Sequence, residues 1–386
     1  MEQRLLKYGC NPNQSNARIY TKGKLPIEVI SGNPGYINLL DALNGYQLVK
    51  ELKKTTGIAA AASFKHVSPA GAAVGTPLNE TEKRAFFTPE DGLSEVAVAY
   101  ARARGTDRLC SFGDYIALSD ECDESCARII RREVSDGIIA PSYSKRAVEI
   151  LQKKRNGSFN IIRIDPDYEP EPVERREVYG ITFEQMHNSI LIDESMLKDI
   201  VTVKKEIPKS AVRDLLIALI TLKYTQSNSV CYANGGQTTG VGAGQQSRIH
   251  CTRLAGDKTD MFNLRFHEKV LTLPFLPDIS RPDRDTVVEL FILEDRYIFE
   301  NWEKYFTVKP DKLTKPEKDE YISKVDGISL ASDAFFPFED NIERAHKSGV
   351  RYVVQAGGSI RDRQVIDSAD SHGMVMAFCH TRLFHH

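Results

Sequence analysis

Lys65 and His66 stand side by side in the sequence Ser-Phe-Lys-His-Val-Ser-Pro-Ala-Gly. A run of alanines before this segment predicts a buried strand, and Pro69 and Gly71 predict a turn after it. The two side chains would then lie at the C-terminal end of a strand, where open α/β sheets bind ligands. Lysine supplies a fixed positive charge and histidine titrates near neutral pH, so the pair suits a reaction that removes a proton while an oxygen becomes negatively charged. The alternative is a solvated lysine beside a structural histidine.

A second polar segment follows a strongly apolar helix that we predict from residues 211 to 224. It reads Thr-Gln-Ser-Asn-Ser, contains Asn228 and leads into a strand. Asn234, Gly235 and Gly236 then indicate a tight hairpin turn. The sequence therefore predicts a helix, a polar loop with Asn228 and a β-hairpin in this order.

The return strand of this hairpin ends in a glycine-rich loop, residues 240–244, ahead of a helix whose first turn carries Arg248. The third glycine of a GxGxxG motif would fall on Gln245, so a dinucleotide-binding fingerprint is excluded. A glycine-rich loop before a helix still lets the backbone approach a ligand and presents the helix N-terminus. Arg248 would face the same space, and a solvated arginine is the alternative.

Other polar side chains lie at the ends of predicted elements or in loops. Asp136 ends a helix predicted from Asp120, where its charge opposes the helix dipole at a cost of ~0.3–1 kcal/mol, and this cost favours a ligand role. Asn38 begins a leucine-rich helix, where helix capping is the default interpretation and ligand contact the alternative. Lys7 and Tyr8 lie in a polar loop that suits an anion, unless Lys7 is an ordinary solvated lysine.

An aromatic loop, residues 332–338, reads Ser-Asp-Ala-Phe-Phe-Pro-Phe and precedes a helix near Asp340 and Asn341. Such a loop can form the wall of a pocket for a planar ligand, although core packing is the usual role of aromatic side chains. Beyond it, residues 350–355 and 374–379 are predicted as buried strands. The second of these strands would anchor the chain end.

Strands alternate with helices along the chain, which predicts a layered α/β fold. The length of 386 residues favours two domains. An acidic, proline-rich segment at residues 165–172 separates predicted domains 1–172 and 173–386, and a charged helical insertion spans about 266–326.

The bulk composition excludes several classes of protein. The 51 basic and 53 acidic residues are nearly balanced, without the clustered positive charge of a nucleic-acid interface. No apolar run reaches the ~18 residues of a membrane span, and the N-terminus lacks the apolar core of a signal peptide. The seven cysteines are singly spaced, which predicts reduced thiols in a cytoplasmic protein without nucleic-acid or membrane partners.

Together these segments resemble the formyltransferase half of the bifunctional purine-biosynthesis enzymes, the AICAR (5-aminoimidazole-4-carboxamide ribonucleotide) transformylase family. The resemblance rests on the Lys-His-Val-Ser-Pro-Ala-Gly, Tyr-Thr-Gln-Ser-Asn-Ser-Val, Gly-Ala-Gly-Gln-Gln-Ser-Arg and Ser-Asp-Ala-Phe-Phe-Pro-Phe segments and extends over essentially the whole chain. It implies two cytidine-deaminase-like three-layer α/β/α subdomains with a small helical insertion. It also implies an intertwined homodimer with active sites across the interface.

The activity implied by the resemblance is transfer of the formyl group of 10-formyltetrahydrofolate to the 5-amino group of AICAR. Because the family's cyclohydrolase domain would precede residue 1, a stand-alone transformylase without cyclohydrolase activity is expected. His66 would take the amine proton, Lys65 would stabilise the oxyanion, and Asn228 would orient the substrate carboxamide.

By the same resemblance, further residues contact the two substrates. Those that would hold the nucleotide phosphate are Lys7, Tyr8 and Arg382. Those that would contact the rest of AICAR are Asn38, Gly113, Asp136, Asn228 and Arg248. Those that would contact the reduced folate are Ile249, Phe335, Asp340, Asn341, Ser359 and Ile360. Lys7 stands where the family usually has arginine, which weakens planar recognition of the phosphate.

The zinc signature of the deaminases, His-x-Glu with Pro-Cys-x-x-Cys, is missing, so no zinc is expected. Family members can bind a structural potassium ion, for which the oxygen ligands would come from Thr225, Ser227, Ser229 and Asp333. Two other classes of function remain as alternatives. A nucleotide-binding regulator without catalysis is disfavoured by the intact Lys65–His66 pair, and a deaminase-type hydrolase is disfavoured by the missing metal ligands.

Overall fold

The structure is a computed structural model that describes residues 2–386. The strands in this range are Glu2–Leu5 (β1), Arg18–Thr21 (β2), Ile27–Ser31 (β3), Ala60–Lys65 (β4), Ser68–Val74 (β5), Asp114–Leu118 (β6), Ser135–Ala140 (β7), Asn160–Ile164 (β8), Val173–Val178 (β9), Ile181–Met186 (β10), Asp199–Ile200 (β11), Val230–Asn234 (β12), Gln237–Gly242 (β13), Ile328–Ser332 (β14), Val350–Gln355 (β15) and Val375–Phe378 (β16).

The α-helices are Tyr36–Thr56 (α1), Glu80–Ala85 (α2), Glu95–Thr106 (α3), Glu124–Arg132 (α4), Lys145–Leu151 (α5), Lys209–Lys223 (α6), Arg248–Leu264 (α7), Glu268–Leu271 (α8), Arg281–Ile292 (α9), Arg296–Glu300 (α10), Lys315–Ser323 (α11), Asp340–Lys347 (α12) and Asp362–Ser371 (α13). Short 3-10 turns lie at Lys154–Gly157, Glu194–Leu197 and Trp302–Lys304.

Most of the strands join one mixed sheet in the order β11-β16-β15-β14-β12-β13-β5-β4-β6-β7-β8-β3. The order is the same on both sides of the β5–β13 junction. On each side a hairpin, β4–β5 or β12–β13, pairs antiparallel with β6 or β14, and two parallel strands follow. The two halves of the sheet are therefore topological repeats that meet at their hairpins.

Helices cover both faces of the sheet because side chains alternate along its strands. Ala60, Ala62 and Phe64 of β4 pack in one core with the apolar residues of α1 and α6. Ala59 and Ala61 face the other side and pack with α3, α4 and α5. The second half is covered on that side by α7, α12 and α13. The predicted α/β class with three layers is confirmed, whereas the predicted domain boundary after residue 172 stays a prediction.

The predicted helical insertion lies between α7 and β14 and consists of α8 to α11 around a core of its own. A buried charge network attaches it to the first half of the sheet. The Arg108 guanidinium lies 3.2 Å from Glu133 and 2.5 Å from Asp285 of α9, and Arg281 lies 2.6 Å from Glu133. Burial alone would raise the pKa of Glu133, but the arginines around it lower that pKa to about 2.

Strands β9 and β10 form a separate two-stranded arm that the sequence analysis did not predict. Its apolar side chains are exposed: Tyr179 is 100% exposed, Ile181 61% and Phe183 59%. An isolated two-stranded hairpin is marginally stable in water. The arm therefore presents an apolar surface that nothing in residues 2–386 covers.

Candidate functional site

His66 and Val67 form the two-residue turn between β4 and β5, where Lys65 pairs with Ser68. Their φ angles are 54° and 59°, in the left-handed region that two-residue hairpin turns require. The predicted turn at Pro69 and Gly71 is wrong, because both residues lie inside β5. Glycine is needed at position 71 for another reason, since a Cβ atom there would lie 2.1 Å from the Ala103 carbonyl oxygen of α3.

The hairpin places Lys65 and His66 at the C-terminal end of β4, as predicted. The imidazole of His66 is exposed. The Lys65 Nζ donates to the Phe112 carbonyl oxygen at 2.6 Å. Gly113 follows with a φ of 76° and donates its N–H to Val134 at 2.9 Å. The predicted AICAR contact at Gly113 therefore lies next to the predicted oxyanion-binding lysine.

The loop with Asn228 lies against the same hairpin. The Gln226 N–H donates to the Ser68 hydroxyl at 3.4 Å, which joins the first residue after the His66 turn to the second half of the molecule. The Asn228 amide donates to the Gln245 carbonyl oxygen at 3.0 Å and accepts from Arg248 at 2.9 Å. Asn228 thus connects its loop to the glycine-rich loop and to the start of α7.

Arg248, the first residue of α7, is buried against Asp333 rather than solvated. Its guanidinium pairs with the Asp333 carboxylate and donates to the Ser229 carbonyl oxygen at 2.9 Å. Arg248 therefore orders the loop through its contacts with Ser229, Asn228 and Asp333.

The side chains proposed as potassium ligands form hydrogen bonds within the chain. The hydroxyls of Ser227 and Ser229 donate to the Asp333 carboxylate at 2.7 and 2.9 Å, and Thr225 donates to the Thr221 carbonyl oxygen at 2.7 Å. Arg248 already compensates the charge of Asp333. The hydroxyl oxygens keep lone pairs while they donate, so the potassium site stays a prediction.

The C-terminal tail runs along this loop. The Leu383 N–H donates to the Asp333 carbonyl oxygen at 2.8 Å, and His385 exchanges two hydrogen bonds with Ser227, at 3.0 and 3.1 Å. Arg382 is exposed, and its guanidinium lies 4.6 Å from the Phe384 ring centroid. The tail is therefore fixed beside the site by its backbone while the Arg382 side chain remains accessible.

The predicted folate residues lie at the starts of α7 and α12 and in the loops before α12 and α13. Phe335, Asp340 and Ile360 are exposed, and Ile249 and Ser359 are half-buried. Asn341 is 0% exposed. Its amide oxygen accepts from Thr252 at 2.7 Å and its nitrogen donates to the Phe338 carbonyl oxygen at 3.2 Å. Asn341 thus holds the aromatic loop on α7, and it has no exposed group for the predicted direct folate contact.

Asp136 is the second residue of β7, so the prediction that it ends a helix is wrong. Helix α4 stops at Arg132 because the chain becomes extended at Glu133, and the helix-dipole argument does not apply. The Asp136 carboxylate is half-exposed and lies 2.5 Å from Arg155. Its charge acts on Asp41 and helps to raise the pKa of that carboxyl group.

Asn38 caps α1, as the default interpretation predicted, because its side-chain oxygen accepts from the Gly35 N–H at 3.0 Å. Lys7 is exposed after β1, and its Nζ lies 5.9 Å from the Tyr8 ring centroid. The hairpin formed by β1 and β2 and the chain end at residues 384–386 line one common cavity. Both ends of the sequence therefore lie on the same side of the molecule.

Asp41 of α1 is a residue of this site that the sequence analysis missed. It is 5% exposed and accepts the Val67 N–H at 2.7 Å. Burial raises the pKa of Asp41, against the lowering effect of the Val67 and His66 N–H groups and of the His66 charge. The available signal was an acidic residue on the buried, leucine-rich face of α1.

Within residues 2–386, no cluster of three or more His, Cys, Asp or Glu side chains is arranged to hold a metal ion. None of the helices in this range combines the length and apolar character that crossing a bilayer requires.

Comparison with known proteins identifies relatives of this sequence. The sequence model of the family described as AICARFT/IMPCHase bienzyme matches residues 1–258. The bifunctional purine biosynthesis protein PurH of Bartonella bacilliformis is 29% identical over 387 residues, which cover 99% of this chain and 58% of that protein. The PurH of Magnetococcus marinus is 29% identical, with 99% and 59% covered, and that of Bradyrhizobium diazoefficiens is 30% identical, also with 99% and 59% covered. The chain thus spans less than two thirds of the length of these relatives.

Proposed function

The chain belongs to the AICARFT/IMPCHase bienzyme family, and we propose that it is the formyltransferase of purine biosynthesis, without cyclohydrolase activity. It would transfer the formyl group of 10-formyltetrahydrofolate to the 5-amino group of AICAR, giving formyl-AICAR and tetrahydrofolate. The observation that carries this proposal is the contact between Ser68 and Gln226, which brings the His66 turn of one half against the Asn228 loop of the other.

The chemistry requires a base and an oxyanion donor at this junction. The AICAR amine is a poor nucleophile because its lone pair is delocalised into the ring and the carboxamide. The exposed imidazole of His66 would remove the amine proton as the nitrogen attacks the formyl carbon. The Lys65 ammonium would stabilise the tetrahedral oxyanion, a contribution typically of ~3–4 kcal/mol for one donor. The bond from the formyl carbon to N10 of the folate then breaks, and N10 takes up a proton.

The remaining predicted residues would divide between the two substrates. Arg382, fixed beside the Asn228 loop, would hold the nucleotide phosphate with Lys7 and Tyr8. The exposed group of Phe335, Asp340 and Ile360 would contact the folate, and the buried Asn341 would support it. Asn228 already uses its amide within the chain, so orientation of the substrate carboxamide would extend an existing hydrogen-bond network rather than form a new one.

We expect the purified chain to release tetrahydrofolate when it is incubated with AICAR and 10-formyltetrahydrofolate, and formyl-AICAR to accumulate. Chromatography of the products and absorbance of the folate measure both events. A separately purified cyclohydrolase, added as a control, should convert the accumulated product to inosine monophosphate. Absence of tetrahydrofolate would contradict formyl transfer, and inosine monophosphate from the chain alone would contradict the absence of cyclohydrolase activity.

We also propose that the protein is a homodimer in the cytoplasm, and that the β9–β10 arm packs on a second copy. The arm exposes Tyr179, Ile181 and Phe183. Beside it lies a cavity of about 1220 Å³, which is lined by the arm, the β1–β2 hairpin, α1 and the chain end. An arm that is marginal alone gains stability when a second copy covers it. The free thiols support the cytoplasmic assignment.

Replacing both Ile181 and Phe183 with aspartate should shift the protein from dimer to monomer, because two charges would be buried in an apolar contact. Sedimentation velocity at several protein concentrations measures this change. Thr182→Asp, on the opposite face of the same strand, is the matched control and should leave the dimer intact. A monomeric wild-type protein, or a dimeric double variant, would contradict the role of the arm.

A further inference from the structure

The two halves of the sheet share a feature that involves an aspartate in the helix before each hairpin. Asp41 is the sixth residue of α1, and Asp214 is the sixth residue of α6. Asp41 accepts the Val67 N–H of the β4–β5 turn at 2.7 Å. Asp214 accepts the N–H groups of Gly235 and Gly236 in the β12–β13 turn at 2.9 and 2.8 Å. The same contact therefore occurs at equivalent positions of both repeats.

The residues that this contact holds differ between the repeats. The second turn is Gly235-Gly236, with φ angles of 64° and 90°, which glycine adopts without strain. The first turn imposes φ angles of 54° and 59° on His66 and Val67. A β-branched residue in this region is a genuine outlier, and such strain costs on the order of 1–3 kcal/mol per residue. The first repeat therefore carries side chains where the second uses the unstrained residue.

The surroundings of Asp41 show why the strained turn persists. Asp41 is almost fully buried, and a buried carboxylate is costly unless it accepts hydrogen bonds. It accepts hydrogen bonds from the turn, and its burial raises its pKa while the charge of His66 lowers it. At 5% exposed, it has little access to solvent. Removal of this acceptor would allow the turn to leave the left-handed region of φ, and the His66 imidazole would move with it.

We propose that Asp41 is a positioning residue for formyl transfer, which acts by holding the His66 turn in its left-handed conformation through the Val67 N–H. This inference rests on the proposed function. Asp214 is the structural counterpart of Asp41 and performs the same backbone role at a turn that carries no side chain.

The test compares alanine and asparagine at both positions in the full-length protein. Asp41→Ala should lower kcat roughly 10- to 100-fold, the scale expected from a displacement of about 1 Å at a reacting group, and should change the KM for AICAR little. Asp41→Asn retains an oxygen acceptor for the Val67 N–H and should keep most of the activity. Asp214→Ala should reduce thermal stability but leave kcat close to that of the wild type.

A second measurement is independent of activity. The His66 imidazole signal in the NMR spectrum of ¹³C-histidine-labelled protein, assigned by its loss in His66→Gln, should shift in folded Asp41→Ala and stay unchanged in Asp214→Ala. If the wild type transfers no formyl group, the proposed function is wrong. The NMR signal would still test whether Asp41 fixes the conformation of the His66 turn.

Three outcomes would overturn the inference. The first is that Asp41→Ala changes neither kcat nor the His66 signal. The second is that Asp41→Ala and Asp214→Ala lose kcat equally. The third is that Asp41→Asn loses as much kcat as Asp41→Ala. If Asp41→Ala does not fold, Asp41→Asn is compared with the wild type instead, and a loss of kcat of roughly 10-fold or more in folded Asp41→Asn would overturn the inference.

Discussion

Replacing His66 with alanine should lower kcat for formyl transfer by roughly 10²–10⁴, the usual contribution of a general base. His66 is exposed at the tip of the β4–β5 hairpin, so its loss removes no core packing. The AICAR amine would then have to lose its proton to water or to its own carboxamide. Because the imidazole acts as the proton is transferred, AICAR binding should be largely retained. Steady-state kinetics with both substrates and calorimetric AICAR binding measure the two effects separately.

The turn geometry supplies a matched control for this variant. Alanine adopts the φ of 54° at position 66 less readily than histidine does, whereas His66→Gly adopts it without strain. If the imidazole is the base, both variants should be equally inactive. If strain in the hairpin causes the loss, His66→Gly should recover the activity, and that result would contradict the assignment. A near-normal kcat in His66→Ala would place the base elsewhere.

A variant of Lys65 distinguishes the role of the oxyanion donor from that of the base in the same assay. The oxyanion exists only after the ground state, so Lys65→Met should also lower kcat more than it raises the KM. The hydrogen bond from Lys65 to Phe112, at 2.6 Å, also orders the turn at Gly113. An effect confined to the KM would therefore assign Lys65 to substrate positioning.

The sequence predicted the elements whose patterns are strong. The leucine spacing of α1, the apolar α6 and the buried strand Val350–Gln355 are present in the structure within a few residues. Lys65 was singled out because its type, beside a histidine at a strand end, suggests chemistry, whereas Asn228 was assigned from the family resemblance, and both roles stay predictions. The local sequence pattern is sufficient to predict these elements because burial of one face of a helix or strand sets the spacing of its apolar residues.

Most of the misses have a common physical cause, because they depend on a partner distant in sequence. The turn at His66 and Val67 has no glycine to mark it, since Asp41, remote in sequence, stabilises it. Asp136 was assigned to a helix that ends earlier, at Arg132, because β7 pairs with β6 and β8. The solvated arginine considered as an alternative for Arg248 is wrong, because Asp333 pairs with it, while its contact with AICAR stays a prediction. The β9–β10 arm differs from these cases, because apolar and polar residues alternate in residues 181–184 after a Tyr-Gly turn, a local signal that the sequence analysis did not use.

Arg382→Ala should raise the KM for AICAR by roughly 10- to 150-fold. A charge-assisted bond from arginine to phosphate contributes ~1.5–3 kcal/mol, and ~1.4 kcal/mol corresponds to one decade. Chain ends usually fray, but this one is anchored. Leu383, directly after Arg382, is buried and donates its N–H to the Asp333 carbonyl oxygen, and His385, two residues further along, bonds to Ser227. The exposed guanidinium can therefore be removed without releasing the tail.

Three comparisons test the phosphate assignment itself. The nucleoside without its 5′-phosphate should bind to Arg382→Ala and to the wild type about equally, because the lost bond is to the phosphate. Arg382→Lys should recover only part of the affinity, since lysine lacks the planar fork of arginine. Arg363→Ala, which removes another exposed arginine near the chain end, should leave the KM for AICAR unchanged. If Arg382→Ala instead weakens folate binding and spares the nucleotide, the tail belongs to the folate site beside Phe335 and Ile360.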